Sequence, residues 1–552
     1  MSTAERRLVP GEPGDGGYRP LVAAEGEAHR VRGDLAPRSL PPGWRATARP
    51  LLVLAHLSDT HVMDHQSPAR AELLDRYADP DSPLRDALGV IGTYRPQELF
   101  TYHVVEAMTS SIRRAAAGPV SGAPVDFAVV TGDVTDNCQH NELRASITLL
   151  DGGVVRPDSG DPDRYEGVAG PEVEDERYWH PEDSAGDLPR RRFGFPSVHG
   201  VLQAARRPFR AAGLGLPWYA VHGNHDNLLQ GTIPASGWLR GTATGDAKYV
   251  TPPGDFDPAD IVRRLNACDT GALAAIAAGG RLAVTADPAR RPVTRAEHLR
   301  EHFATTGLPR GHGYTQRNLD GGMAYYAFDH GVVRCVMLDT VNPHGGWQGS
   351  LDAVQLHWLV AELRACASRP VVLFSHHPLE TLINDRRPPW APRRILAAEL
   401  RELLLAHPCV IAWVNGHTHT HAITAIRDEA APGGFWQVTT ASHIDWPQQS
   451  RFLELLETGR GLAIACTVID SAAPPGNRGP GNQGTGYQRT GYRGPGEPAD
   501  LAALARELSL NDWQVRDLIT AEGGAGAGTA DDRNTILAVE WPRPVTSNRR
   551  YW

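Results

Sequence analysis

Short apolar runs of strand length recur along the chain, and each ends in a polar cluster. Residues 51–57 end at Ser58-Asp59, residues 125–130 at Thr131-Gly132-Asp133, and residues 216–221 at His222-Gly223-Asn224. Residues 332–338 end at Asp339-Thr340, residues 371–374 at Ser375-His376, and residues 409–414 at Asn415-Gly416-His417. Between these runs the apolar period changes. Leu99, Val104, Val105, Met108 and Ile112 in 97–117 follow helical spacing, and 140–150, 351–367 and 395–406 read the same way. Near-continuous apolar strands alternating with helices predict an α/β fold whose sheet is covered on both faces. In such folds the carboxyl ends of the strands form the ligand-binding rim, so the polar clusters are expected to meet there.

The remainder of the chain divides by composition. Residues 1–49, rich in Pro, Gly and charge, read as a partly disordered arm. Residues 50–471 form the main domain, with insertions at about 151–192 and 227–318. The first insertion is strongly acidic and reads as a solvated loop. The second, with a helix-like run at 259–268, reads as a cap over the site. A Gly/Pro-rich linker follows at 472–498, and then a C-terminal extension, 499–552, with helical runs at 499–508 and 512–521 and a strand-like piece at 535–541.

Bulk properties exclude some classes. A chain of 552 residues with 41% apolar and 22% charged residues supports a large core. A net charge of -9 gives no nucleic-acid or anionic-membrane signal. There is no transmembrane run, and Arg6-Arg7 lacks the apolar stretch of an export signal, so the chain as given reads as cytoplasmic. The six scattered cysteines, without a CxxC pair, agree with a reducing compartment.

The polar clusters carry the chemistry. Asp59 and His61 are two apart, a spacing that points both at one ion from a strand end. Asp133 follows a glycine, which permits the close approach a carboxylate needs to lie between two ions. Asn224 offers a neutral amide oxygen. His417 and His419 repeat the two-residue spacing, although on a turn they can reach different ions. Mixed imidazole and carboxylate donors suit Mn, Fe or Zn better than Ca or Mg. Two such ions neutralise phosphate oxygens and activate water, which makes phosphate-ester hydrolysis the predicted chemistry.

These blocks resemble the calcineurin-like metallophosphoesterase superfamily. Its pattern of D-x-H, G-D-x-x-D/E, G-N-H-D/E, a lone His and G-H-x-H is matched at Asp59/His61, Gly132-Asp133/Asp136, Gly223-Asn224-His225-Asp226, His376 and Gly416-His417/His419. The resemblance spans about 51–440, and the long inserts are similar to an actinobacterial-type subgroup. It implies a metallophosphoesterase-like β-sandwich of two mixed sheets flanked by helices. It further implies that Asp59, His61 and His419 hold one divalent transition metal, that Asn224, His376 and His417 hold a second, and that Asp133 bridges them. The residue two before Pro378 is the family ligand, which selects His376 over His377. His225 is expected to assist the leaving group of a small phosphorylated substrate during attack by a metal-bridging hydroxide. Asp226 is expected to fix the His225 tautomer, and Asp136 to support a ligand from behind. Asp136 also stands where purple acid phosphatases carry a Tyr, which argues against an Fe(III)-tyrosinate site.

Other residues have plainer readings. His103, His199, His357 and His407 read as packing histidines, and His377 and His421 as residues shaping the pocket. Arg386, Arg387, Arg393 and Arg394 read as a basic solvated loop, with contact to an anionic substrate as the alternative. Trp390 and Trp446 either stack on a ring or pack, and 442–446 is a candidate pocket wall. A nuclease or nucleotide pyrophosphatase, and a non-catalytic metal-binding scaffold, are the competing functions. The motifs leave open monoester against diester preference and oligomeric state.

Overall fold

A computed structural model describes residues 2–36, 38–89, 91–182, 186–428, 433–471, 497–520 and 522–542. The sequence-predicted linker at 472–498 lies almost entirely outside the described residues.

Two mixed sheets pack face to face. The first has seven strands: β1 (Arg30–Arg32), β2 (Arg49–Leu57), β3 (Phe127–Val130), β4 (Trp218–Ala220), and, from the end of the chain, β11 (Gln449–Glu457), β12 (Leu462–Asp470) and β13 (Thr535–Val539), in the order β1-β13-β12-β11-β2-β3-β4. The second has six: β5 (Tyr326–His330), β6 (Val333–Met337), β7 (Val371–Phe374), β8 (Val410–Asn415), β9 (Ala422–Ile426) and β10 (Phe435–Thr439), in the order β5-β6-β7-β8-β10-β9. This is the two-sheet, helix-flanked α/β sandwich implied by the sequence resemblance.

The alternation of side chains explains the layering. In the second sheet Val333, Cys335, Met337, Val372, Phe374, Ala412 and Val414 face the first sheet. Their neighbours Val336, Leu373 and Trp413 face the other way, onto Leu359 and Leu363 of helix Ala353–Ala365 and Leu400 and Leu404 of helix Ala397–Leu405. The first sheet is covered outside by Met108 and Ile112 of helix Thr101–Ala115 and Ile147 and Leu150 of helix His140–Asp151. Both faces of each central strand are thereby buried, which is why these strands read as unbroken apolar runs.

Parallel pairing positions the site. β2, β3 and β4 run parallel, with Leu54 opposite Phe127 and Val130 opposite Ala220. β6, β7, β8 and β10 are also parallel. The carboxyl ends of the two groups meet: the His417 amide donates to Asp59 Oδ2 at 2.9 Å, and His376 Nδ1 donates to the Thr131 carbonyl at 2.8 Å.

Three peripheral segments differ from the sequence reading. The arm at 1–49 contains a hairpin, Arg6–Pro10 with Leu21–Glu25, and supplies edge strand β1. The acidic insertion is not a solvated loop. Trp179 and Tyr178 are buried in a second core with Phe195, Trp513 and Leu501, Leu504 and Leu508 of helix Pro498–Leu510. Its acids are consumed locally: Asp175 pairs with Arg76 at 2.7 Å, Asp187 caps the helix at Arg190, and Glu182 accepts the Gly200 and Leu202 amides. The C-terminal extension is part of the sandwich, since β13 lies between β12 and β1. The helix expected at 259–268 forms as Pro258–Asn266, whereas among the described residues of 512–521 the helical part is a short 3-10 turn, Arg516–Leu518. Among the described residues, no helix is long and apolar enough to cross a membrane.

Leu537 is fully buried in the inter-sheet core. Leu537→Ala is expected to cost about 2–5 kcal/mol. Urea unfolding measures this, and an unchanged midpoint would detach the C-terminal strand from the sandwich.

Candidate metal centre

The first block follows β2 directly. Asp59 and His61 both take positive φ, 50° and 41°, as do Asp133 (48°), His417 (69°) and His419 (55°). L-residues pay about 1–2 kcal/mol for this conformation, so five of the twelve described non-glycine residues with positive φ falling on these blocks is backbone strain placed at the site. Glycines make the crowding possible. A Cβ on Gly223 would strike the Asp133 backbone and carboxylate, and one on Gly416 would strike Ser58 and Asp59.

Two imidazole pairs face each other across Asp133. His61 Nε2 and His419 Nε2 lie 3.2 Å apart, and His376 Nε2 and His417 Nδ1 also lie 3.2 Å apart. Asp133 Oδ2 is 3.1 Å from His376 Nε2 and 3.9 Å from His61 Nε2, while Oδ1 accepts the His225 amide at 2.8 Å. Asp59 Oδ1 is 3.4 Å from His419 Nε2 and 4.0 Å from His376 Nε2.

The remaining hydrogen bonds set the tautomers. His61 Nδ1 faces Asp136 Oδ1 at 3.2 Å, and His419 Nδ1 faces Asp445 Oδ2 at 2.6 Å. Carboxylates only accept, so both Nδ1 atoms carry the proton and both Nε2 atoms present lone pairs to one another. Two facing lone pairs at 3.2 Å repel unless a cation stands between them. Nitrogens bound to one ion at about 2.0–2.1 Å fall close to this separation. Asn224 repeats the point: Nδ2 donates to the Gly231 carbonyl at 3.0 Å, and the buried Oδ1 has no hydrogen-bond partner. The donor set suits a divalent metal ion, and the residues present fit one.

Without an ion, protons take its place. Burial opposes charge on His419, yet Asp445 and Asp59 raise its pKa to about 10. Burial likewise opposes charge on His376, but Asp133 and Asp59 raise it to about 9. Asp133 is buried, and His376 and His225 nevertheless hold it well below the usual carboxylate range. His417 is pushed well below the ordinary imidazole value by burial and by His377 and His376.

All nine sequence-predicted site residues lie at this rim, but one does not take its expected contact. Asp226 does not touch the His225 ring. It accepts the Val134, Thr135 and Gly223 amides at 3.0, 3.1 and 2.9 Å and ties two loops together. His225 Nδ1 instead donates to the Asp136 carbonyl at 2.5 Å. The GNHD spacing places Asp226 beside His225 in sequence, yet the chain turn points it backward. His377 uses both ring nitrogens elsewhere, on Thr340 Oγ1 at 2.8 Å and the Trp347 carbonyl at 3.0 Å. The four arginines after it are also occupied: Arg386 on the Asn266 and Ala267 carbonyls, Arg387 on the Ala391 carbonyl, Arg393 on Glu399 and Arg394 on Ser350. Trp390 is 81% exposed and Trp446 is buried.

Asp136 stands behind His61 as expected, but sequence reasoning missed the arginines behind the carboxylates that hold the imidazoles. Arg95 pairs with Asp445, and Arg70 pairs with Asp136 at 2.6 Å and with Glu98 and Glu72. Nothing in their local sequence signals this, because each meets its partner only through the fold. The site opens where His225 and His419 are 22% and 21% exposed, whereas Asp59, Asp133 and His376 are sealed.

No protein-family model matches the chain, and no curated protein does. Among solved structures the chain is similar to a dimetal phosphatase from Danio rerio, at 13% identity and a TM-score of 0.35, covering 77% of this chain and 100% of that one. It is similar to the sulfate thiohydrolase SoxB of Termus thermophilus in complex with glycerol, at 12% identity and a TM-score of 0.29, covering 79% and 58%. A third is GAP50, the anchor in the inner membrane complex of Plasmodium, at 11% identity and a TM-score of 0.26, covering 83% and 94%. Likenesses this distant carry no argument about the chemistry, which rests on the side chains.

Asp445→Asn removes the carboxylate that orients His419 and is expected to weaken metal affinity about 10–100-fold. Competition against a coloured chelator measures it, and unchanged affinity would remove Asp445 from the centre. Because His376 and His419 titrate at about 9 and 10, metal uptake below those values must expel protons. Apparent affinity is therefore expected to rise as pH rises toward 9, read as proton release in calorimetry across buffers of different ionisation enthalpy. Uptake without proton release would contradict the assigned ligands.

Proposed function

We propose that the chain is a dinuclear metal-dependent phosphoesterase of the calcineurin-like metallophosphoesterase superfamily, hydrolysing a small phosphate ester. The observation that carries this reading is the double set of facing imidazole nitrogens around Asp133, with the bare Asn224 oxygen beside them. In this reading Asp59, His61 and His419 hold one divalent ion, and Asn224, His376 and His417 hold the other. Asp133 would lie between the two ligand sets and serve both ions. When bound, Mn, Fe or Zn ions supply positive charge for phosphate oxygens and make a water acidic near neutral pH.

The protein's own groups do the rest. Asp136 and Asp445 hold His61 and His419 in the tautomer that presents Nε2, and Arg70 and Arg95 fix those carboxylates. The Thr131 carbonyl does the same for His376. His225 stands at the open side with Nδ1 committed to the Asp136 carbonyl, which leaves Nε2 for the substrate. In its charged form that nitrogen carries a proton for the departing oxygen.

The test is hydrolysis of bis(p-nitrophenyl) phosphate and p-nitrophenyl phosphate by apoprotein reconstituted with Mn(II). Metal-dependent turnover of either is expected, and their ratio gives diester against monoester preference. Turnover of neither, with metal bound, would contradict the reading. Asp133→Asn and His417→Ala are each expected to abolish turnover. His225→Ala is expected to keep its metal and lose about 10²–10⁴-fold in rate, most severely with poor leaving groups. Loss of metal from that variant would contradict its role.

A further inference from the structure

A second group of buried histidines lies behind the centre and plays no part in the chemistry above. His222 follows β4, Asp226 closes the loop after it, and His298 sits on helix Arg295–Phe303 of the 227–318 insertion. All three are buried, and one ligand atom from each lies within 4.8 Å of the others. Neither ring nitrogen of His222 has a hydrogen-bond partner at good geometry, although the Asn227 side chain is close enough to act on it. His298 Nδ1 has none either.

The tautomer of His298 can be traced from the far end of a histidine chain. Asp151 Oδ1 lies 3.2 Å from His312 Nε2 without the alignment of a hydrogen bond, and its negative charge favours the proton on that nitrogen. His312 Nδ1 then presents a lone pair to His302 Nδ1 at 2.9 Å, so the His302 proton is on Nδ1. His302 Nε2 in turn accepts from His298 Nε2 at 3.2 Å. In this arrangement the His298 proton sits on Nε2 and the orphaned Nδ1 presents a bare lone pair. Burial holds this ring well below the ordinary imidazole pKa, so it stays neutral and able to ligate. Asp226 Oδ2 accepts only the Gly223 amide, which leaves it room for one more partner. Arg295, the cation nearest these rings, is paired with Asp339 at 3.1 Å. A histidine whose far nitrogen is engaged by a hydrogen bond is held in orientation with its other nitrogen free to ligate.

We propose that His222, Asp226 and His298 form a third metal site that takes a borderline divalent ion such as Zn(II). Two imidazoles and a carboxylate leave a fourth position open, as in a tetrahedral His/His/Asp site. The ion would pin the helix of the insertion to the two loops that Asp226 ties together, those carrying Asp133 and Asn224. Its role is therefore positioning. The site does not depend on the phosphoesterase reading.

The experiment is metal content by mass spectrometry of Zn(II)-loaded full-length protein after gel filtration, with circular dichroism to establish folding. His298→Gln, which spares the dinuclear residues, is expected to hold about one equivalent less than the parent. The double variant Asp59→Ala/His417→Ala is expected to retain about one equivalent, which a further His222→Asn change removes. A folded His298→Gln with the metal content of the parent would overturn the proposal and leave the cluster holding water only. A double variant emptied of metal would overturn it as well. Failure of the dinuclear reading looks different: the double variant would then bind as much metal as the parent.

Discussion

Uncompensated lone pairs at the junction of two sheets are the constraint on which this structure turns. The carboxyl ends of two sets of parallel strands meet at one rim and bring His61 of the first sheet within 3.2 Å of His419 of the second, beside a His376–His417 pair of the second sheet at the same distance. Asp133 stands between them with one oxygen on the His225 amide and the other among the ring nitrogens. Such a cluster cannot stay buried as neutral acceptors. A cation must share it, either protons, as the raised pKa values of His376 and His419 express, or metal ions.

The scaffold holds the cluster against its own repulsion. Left-handed backbone at Asp59, His61, Asp133, His417 and His419 is strained, and the sandwich beneath it offsets that strain. Buried counter-ions form an outer ring: Asp136 with Arg70, and Asp445 with Arg95. Both carboxylates sit far below their ordinary pKa despite burial, because an arginine and a histidine face each one. They stay ionised and hold their imidazoles in one tautomer. The protein thus keeps a polar core rigid by satisfying the far nitrogens of His61, His376 and His419 and leaving their inner ones bare.

Much of this was legible in the sequence, and the reason is periodicity. Strands buried on both faces read as unbroken apolar runs, and the polar residues after them stand where parallel strands end. Periodicity put the polar blocks at one rim, and the resemblance to the calcineurin-like metallophosphoesterases singled out Asp59, His61, Asp133, Asn224, His376, His417 and His419 within them. What escaped reading depends on chain direction after a turn or on partners distant in sequence. Asp226 follows His225 immediately, but the turn sends its carboxylate back to the Val134 and Thr135 amides. Asp445 and Arg95 are 350 positions apart and carry no local mark. The acidic insertion misled for a different reason. Charge density suggested solvent, while Trp179 and Tyr178 between the acids formed a core and the acids became caps and ion pairs.

The central claim is that Asp133 joins two ions rather than serving one. Mn(II) electron paramagnetic resonance on apoprotein titrated to about two equivalents tests it most directly, because a shared carboxylate holds the ions close enough for spin exchange. The account predicts an exchange-coupled pair signal that Asp133→Asn loses. Two isolated Mn(II) signals in the unsubstituted protein, with no coupling at any loading, would contradict it.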